Sequence, residues 1–117
     1  MILANPEIIR LHFSQQQPGS QWVNFKFAKP QFIRGVVIYN RVDCCKERLF
    51  PVEILVRDEF NHLHKCQGKS FKVGDPEIPS VNTNPIRIDC GAVRGTAVVI
   101  RVQNRILNIC EVKIFGY

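Results

Sequence analysis

The chain of 117 residues contains no long apolar run, no cluster of like charges and no helical pattern. Without an apolar stretch of about 20 residues, no segment is suited to insertion into a membrane. The formal charge is +6, but Lys and Arg are scattered in ones and twos and form no basic cluster with aromatic side chains that could stack on bases. We therefore expect neither membrane insertion nor nucleic-acid binding.

Catalytic and zinc-binding motifs are also missing. The acids and histidines form no paired-carboxylate or nucleophile-and-base pattern, so we expect that the protein is not an enzyme. No CxxC pair or Cys/His cluster suggests zinc. The five cysteines are instead typical of disulfides formed in an oxidising compartment, although an odd number leaves one thiol without a partner.

The opening residues 1–13 lack the basic, apolar and small-residue regions of a secretory signal. Because the cysteine content is that of an exported protein, we expect a secreted or extracellular domain whose signal peptide is not part of this chain. The length fits a single domain, residues 1–117, and the 45% hydrophobic content is enough for one core.

Short runs that alternate or are rich in β-branched residues predict an all-β fold without regular helix. In one of them Val52, Ile54 and Val56 share a face, as in a half-buried sandwich strand. Trp22 is assigned to the core because it begins a run containing Val23 and Phe25. The predicted strands are Trp22–Phe27, Ile33–Tyr39, Val52–Val56, Ile86–Cys90, Ala97–Val102 and Cys110–Phe115. Residues 68–84, rich in Pro, Gly, Asn and Ser, predict a long surface connection.

The segment 40–49 combines two arginines, an acid and two adjacent cysteines in one loop. Cys44 and Cys45 either bond to each other, closing a strained ring, or pair with distant cysteines. Cys66 and Cys90 bracket the long connection and make a natural pair, whose closure of about 25 residues contributes roughly 3 to 4 kcal/mol. We therefore favour a vicinal disulfide, which offers a rigid apolar ledge for a sugar ring.

The pattern Arg41-x-Asp43-Cys44-Cys45-x-x-Arg48-Leu49, followed by Val52-Glu53-Ile54, resembles the sugar-binding signature of F-type lectins (fucolectins). The final segment, residues 110–116, is similar to the closing strand of that family, and Trp22 lies at a suitable distance from Arg41. The resemblance covers residues 12–117. It implies a discoidin-like jellyroll β-sandwich, of the galactose-binding-domain-like type, that binds terminal L-fucose on glycans.

The resemblance also implies which residues bind the sugar. The donors to the fucose oxygens are His12, Arg41 and Arg48, and the Cys44–Cys45 disulfide packs on the apolar side of the ring. Asp43 is placed to hold one guanidinium in its binding direction. The partners would then be fucosylated glycans.

The chain departs from the family pattern at its N-terminal part, which appears short. The family's partner for Cys110 is missing, so this cysteine is expected to be the odd thiol. Of the family's calcium ligands Glu111 remains, and because calcium takes six to eight oxygen ligands we expect weak or no binding. A sheet edge left open by the missing strand could pair with a second copy in a homo-oligomer. The alternative function is a β-sandwich adhesion or interaction module with a degenerate sugar site.

Overall fold

A computed structural model of the chain describes residues 7–14, 21–40, 42–43, 45–102 and 108–116. The strands are β1 (Glu7–Ser14), β2 (Gln21–Asn40), β3 (Val52–Arg57), β4 (Leu63–Lys65), β5 (Ile86–Val102) and β6 (Asn108–Gly116). Two single turns of 3-10 helix, Lys46–Leu49 and Cys66–Gly68, lie between them. The fold is therefore all-β.

The strands pair antiparallel in the order β1-β6-β2-β5-β3-β4. In one layer, residues 21–26 of β2 pair with residues 97–102 of β5, and β5 also pairs with β3. In the other layer, residues 33–40 of β2 pair with β6. The two long strands thus pass from one layer to the other. This arrangement is a discoidin-like β-sandwich.

Irregular positions in β2 and β5 allow the strands to bend between the layers. The register shifts between Lys26 and Gln31, and again between Ile33 and Gly35. Opposite the second shift, Gly91 and Ala92 have φ of 63° and 56°, which places the extra residues of β5 in a bulge. A Cβ at Gly95 would clash with Cγ1 of Val56, so a larger residue there would disturb the packing of β5 on β3.

The core lies between the two layers and is made by the inward residues of the strands together with two side chains from the long connection. Phe25 and Ile88 are 2% exposed, and Ile38, Ile54 and Ile100 are fully buried. Phe71 and Ile78 are also fully buried, although both lie outside the named strands. The connection over residues 68–84 is therefore irregular, as predicted, but two of its side chains complete the core.

The sequence prediction recovers β2, β3, β5 and β6, but it divides β2 and β5 into two strands each. The single strand β2 contains the two predicted strands Trp22–Phe27 and Ile33–Tyr39. In the same way, β5 contains Ile86–Cys90 and Ala97–Val102. The strands β1 and β4 were not predicted. The pattern of β4 is weak because the strand has three residues and all of them are exposed.

The assignment of Trp22 to the core is wrong. Its neighbours Val23 and Phe25 face the interior, and strand alternation therefore directs Trp22 outward, where it is 51% exposed. The predicted disulfide between Cys66 and Cys90 is confirmed, with the two Cα atoms 4.6 Å apart. In the described ranges no helix is long and apolar enough to cross a membrane.

Candidate functional site

Several chain segments meet at one end of the layer formed by β1, β6, β2 and β5. Strand β1 ends at Ser14, opposite Asn108. Strand β2 ends at Asn40, opposite Ile109, and β5 begins at Ile86, opposite Ile38. The loop over residues 40–49 therefore leaves the sheet beside the starts of β5 and β6.

His12 lies within β1, a strand that the sequence did not predict. Its backbone sits at a register shift between the pairs Leu11–Val112 and Phe13–Ile109. Because β6 separates β1 from β2, and neighbouring strands are about 4.8 Å apart, the backbones of His12 and Asn40 are roughly 10 Å apart. The His12 side chain, Arg41 and Cys44 lie outside what the structure describes.

Cys45 has an unusual backbone conformation at the turn that precedes the 3-10 segment. Its φ is 66°, a left-handed conformation that costs energy for a residue with a side chain. Cys45 is disulfide-bonded, and because Cys66 and Cys90 bond to each other, its partner is Cys44 or Cys110. The turn is followed at once by the 3-10 segment Lys46–Leu49, where the Arg48 backbone N–H donates to the Cys45 carbonyl at 3.0 Å.

The start of the loop is fixed by a pair of asparagines. The backbone N–H of Asn40 donates to Oδ1 of Asn84 at 3.0 Å, and Nδ2 of Asn84 donates to the Asn40 carbonyl at 3.2 Å. Asn40 also donates through Nδ2 to the carbonyl of Lys46 at 3.1 Å. Asn40 is buried, so these contacts hold the base of the loop away from competing water.

Further contacts fix the rest of the loop. The Nζ of Lys46 donates to Oδ1 of Asn82 at 2.9 Å, which joins the loop to the segment preceding β5. Leu49 is 1% exposed and anchors the end of the 3-10 turn in the core. The conformation of the loop is therefore set by two separate parts of the chain.

An open depression of about 280 Å³ lies between this loop and the segment before β5. Asp43, Cys45 and Lys46 line one side, with Val81 and Asn82 on the other. Val42, 66% exposed, adds an apolar surface beside the polar groups. A shallow site with mixed apolar and polar lining suits a small polar ligand.

Arg48 and Asp43 differ in how they are engaged. Arg48 is half-buried, and within the described residues its guanidinium makes no hydrogen bond or ion pair. Its planar set of donors is therefore available to a ligand. Asp43 is exposed and has an interaction partner in the protein.

The described residues provide no metal site, because they contain no group of three or more Cys, His, Asp or Glu side chains suited to hold one. Glu111, the remaining member of the expected calcium set, is 9% exposed and has an interaction partner. It lies on β6 opposite Tyr39 of β2. Its assignment as a calcium ligand stays a prediction.

Sequence reasoning missed the residues that support the loop. Asn82 and Asn84 lie about 40 positions beyond Asn40 and were interpreted as ordinary turn residues. It also missed a cluster on the β3–β4 hairpin, where Oδ2 of Asp58 lies 2.7 Å from Nε2 of His64 and 3.8 Å from Nδ1 of His62. The hydrogen bond with His64 is the main cause that lowers the pKa of Asp58 to about 2.

Known proteins match most of the chain. Residues 10–100 match the F5/F8 type C family described as NedA-like, galactose-binding domain. A pentraxin fusion protein from Xenopus laevis is 29% identical over 101 residues, which are 81% of this chain and 22% of the relative. The chain thus spans about a fifth of that protein's length.

Solved structures resemble the fold. A fucose binding module of Streptococcus pneumoniae, SpX-3, superposes with a TM-score of 0.70 at 21% identity, covering 92% of this chain and 72% of the module. A fucolectin from the serum of striped bass, Morone saxatilis, gives 0.63 at 26% identity, covering 92% and 36%. This chain therefore belongs to the F5/F8 type C family of galactose-binding-like domains, and its β-sandwich fits an F-type lectin domain of the discoidin-like type.

Proposed function

We propose that this protein is a lectin that binds terminal L-fucose on glycans at the loop over residues 40–49. The observation that carries the proposal is the guanidinium of Arg48, which makes no hydrogen bond or ion pair among the residues that the structure describes and lies one turn away from the disulfide-bonded Cys45. A half-buried arginine without a protein partner is costly unless a ligand or water satisfies its donors. Sugar hydroxyls have the geometry to accept from a planar guanidinium.

The proposed roles are those that the resemblance to F-type lectins implies. Arg41 and Arg48 donate to the ring and hydroxyl oxygens of fucose, and His12 adds a third donor. A Cys44–Cys45 disulfide packs on the apolar side of the sugar, beside Val42. Asp43 orients a guanidinium, and no bond is made or broken.

Binding without catalysis is supported by the names of the similar structures, a fucose binding module and a fucolectin. A location outside the cell is supported by the Cys66–Cys90 disulfide, since such bonds persist in oxidising compartments. Fucosylated glycans on cell surfaces or on secreted proteins would be met there. Several copies acting together would compensate for the weak affinity of a shallow site.

The test is calorimetric titration of the oxidised protein with L-fucose, using D-galactose as the control sugar. Arg48→Ala is expected to weaken binding roughly tenfold or more, because a hydrogen bond from a charged group contributes about 1.5 to 3 kcal/mol. Arg94→Ala is the matched control, since Arg94 is engaged with Glu59 at 2.9 Å on the far side of the domain. A Cys44→Ser, Cys45→Ser double variant tests the disulfide platform separately.

Folded, oxidised protein that gives no heat with millimolar fucose would reject the lectin function. The second candidate, an interaction module with a degenerate sugar site, would then lead. It is favoured by exposed aromatic side chains at the end opposite the loop, where Phe60 is 79% and Phe32 46% exposed. Exposed aromatic groups of this kind are frequent in protein interfaces.

A further inference from the structure

We propose a second ligand site, for a saccharide that carries a carboxylate or a sulfate, on the outer face of the layer formed by β5, β2 and β6. An open depression of about 390 Å³ lies there, within the volume range of small-molecule sites. Its lining includes the charged residues Arg34, Arg87 and Asp89 together with Gly35 and Val37. The site is independent of the loop over residues 40–49.

The strand register places these residues on one face. Gly35 pairs with Asp89, and Val37 pairs with Arg87. The intervening residues Val36 and Ile88 are buried in the core, so all four members of the two pairs face outward. The depression is therefore built on the most extensively paired strands of the sandwich.

The depression needs a glycine at position 35. A Cβ at Gly35 would lie 2.9 Å from the carbonyl oxygen of Ile88, so this position excludes larger residues. Val37, its neighbour on the same face, is 6% exposed. The surface that a ligand could reach between the charged groups is therefore mainly the backbone of Gly35, which a ligand can approach closely.

The rim on the β5 side is held in place. The backbone N–H of Gly91 donates to Oδ1 of Asp89 at 2.9 Å, and Nε2 of Gln67 donates to the Asp89 carbonyl at 3.2 Å. The next residue, Cys90, is bonded to Cys66. The bulge at Gly91 and Ala92 ends the regular pairing here, and bulges often re-aim side chains beside binding sites.

The charges favour an anionic ligand. Arg34 and Arg87 lie beside the Asp89 carboxylate, one oxygen of which already accepts from Gly91, and Arg34 has an interaction partner in the protein. Arg87 is exposed and, in the described part of the chain, makes no hydrogen bond or ion pair. Guanidinium groups bind carboxylate and sulfate oxygens through paired hydrogen bonds, while the free oxygen of Asp89 can accept from a sugar hydroxyl.

The distance to the first site excludes a shared monosaccharide. Gly35 and Asn40 are separated by five strand residues, which correspond to about 17 Å. The ligand of this depression is thus bound separately from fucose. If the loop over residues 40–49 did not bind fucose, the proposed site in this depression would be unaffected.

The experiment is an amide-resolved NMR titration of the full chain with methyl glucuronide, methyl galactoside 6-sulfate and neutral methyl galactoside. The two anionic glycosides are expected to shift the amides of Gly35, Val37, Asp89 and Gly91, whereas fucose shifts those of residues 42–49. A response to one anionic glycoside alone would support the site and identify its oxyanion. Acetate and sulfate ions at equal ionic strength are the ion controls.

Arg87→Gln is expected to weaken binding of the anionic glycoside roughly tenfold, because a charge-assisted hydrogen bond is lost. Arg94→Gln removes the same charge from the same strand and is expected to leave that affinity unchanged. The proposal is overturned if no glycoside shifts these amides, or if neutral galactoside binds equally well. It is equally overturned if acetate and sulfate alone reproduce the shifts, or if both variants lose affinity to the same extent.

Discussion

Asn84 and Asn40 are joined by two hydrogen bonds in which the side chain of one pairs with the backbone of the other. The Asn40 N–H donates to Oδ1 of Asn84, and Nδ2 of Asn84 donates to the Asn40 carbonyl. The side-chain amide of Asn84 thus makes the two hydrogen bonds that a neighbouring strand would make with the last residue of β2. The end of β2 is therefore held by the segment before β5.

Asn84→Ala is expected to loosen the base of the loop and to weaken fucose binding. Two hydrogen bonds to partly buried groups are lost, which corresponds to about 1 to 3 kcal/mol. Calorimetry with fucose and the hydrogen-exchange rate of the Asn40 amide measure the effect. Thr96→Ala is the control, since it removes a side-chain hydrogen bond to the carbonyl of Arg57 at a distance from the loop. Equal effects of the two variants would contradict the role of Asn84.

Glu53 makes the stability depend on acid pH. Burial raises the pKa of Glu53, but hydrogen bonds from Arg101, Lys65 and Ser70 outweigh burial and lower it to about 2. Its pKa in the folded state is thus below the unfolded value of 4.5, so its contribution is complete above pH 4.5 and is lost as the pH falls towards 2. The loss is on the order of 3 kcal/mol.

Denaturant unfolding between pH 2 and 6 tests this linkage. Wild-type protein is expected to lose more stability across the range than Glu53→Gln, because the variant carries no titrating group at this position. Glu59→Gln, which changes an exposed partner of Arg94, is expected to follow the wild-type profile. Parallel profiles for wild type and Glu53→Gln would refute the assignment.

The Cys66–Cys90 disulfide is expected to contribute to stability, and the disulfide of the loop over residues 40–49 is expected to contribute to fucose binding. Replacing Cys66 and Cys90 by alanine removes a bridge between positions 24 residues apart, which costs about 3 to 4 kcal/mol in the chain-entropy description. The variant should unfold at lower denaturant yet still bind fucose when folded. A Cys44→Ser, Cys45→Ser variant should behave in the opposite way. Loss of fucose binding in both folded variants would contradict this division, because the Cys66–Cys90 disulfide would then also be needed for binding.

Phe25 and Trp22 lie three residues apart on β2 but on opposite faces. Phe25→Ala is expected to destabilise the domain by about 3 to 5 kcal/mol, because Phe25 is 2% exposed and its removal leaves a cavity. Trp22→Ala should cost clearly less, since half of Trp22 is already in water. Chemical denaturation of the two variants compares them directly, and equal losses would contradict the outward position of Trp22.

Much of the fold was readable from local pattern. Alternation of apolar and polar residues depends only on neighbours along the chain, so runs such as Val52–Val56 indicate strands wherever they are later placed. The Cys66–Cys90 pair was also predictable, because two cysteines that bracket a loop have few alternatives. The composition of the loop over residues 40–49 pointed to the region in which the supporting contacts of Asn40 and Lys46 are found.

The sequence by itself determined the all-β class, the strand-forming segments and the loop that carries the arginine and cysteine pattern. Only the tertiary structure decided that four of those segments are two bent strands, that Trp22 faces water, and that Asn84 supports Asn40 from 44 positions away. The depression at Arg34 and Arg87 likewise exists only through the pairing of β2 with β5. The physical reason is that alternation records which residues are apolar, whereas strand register and crossing decide which residues meet.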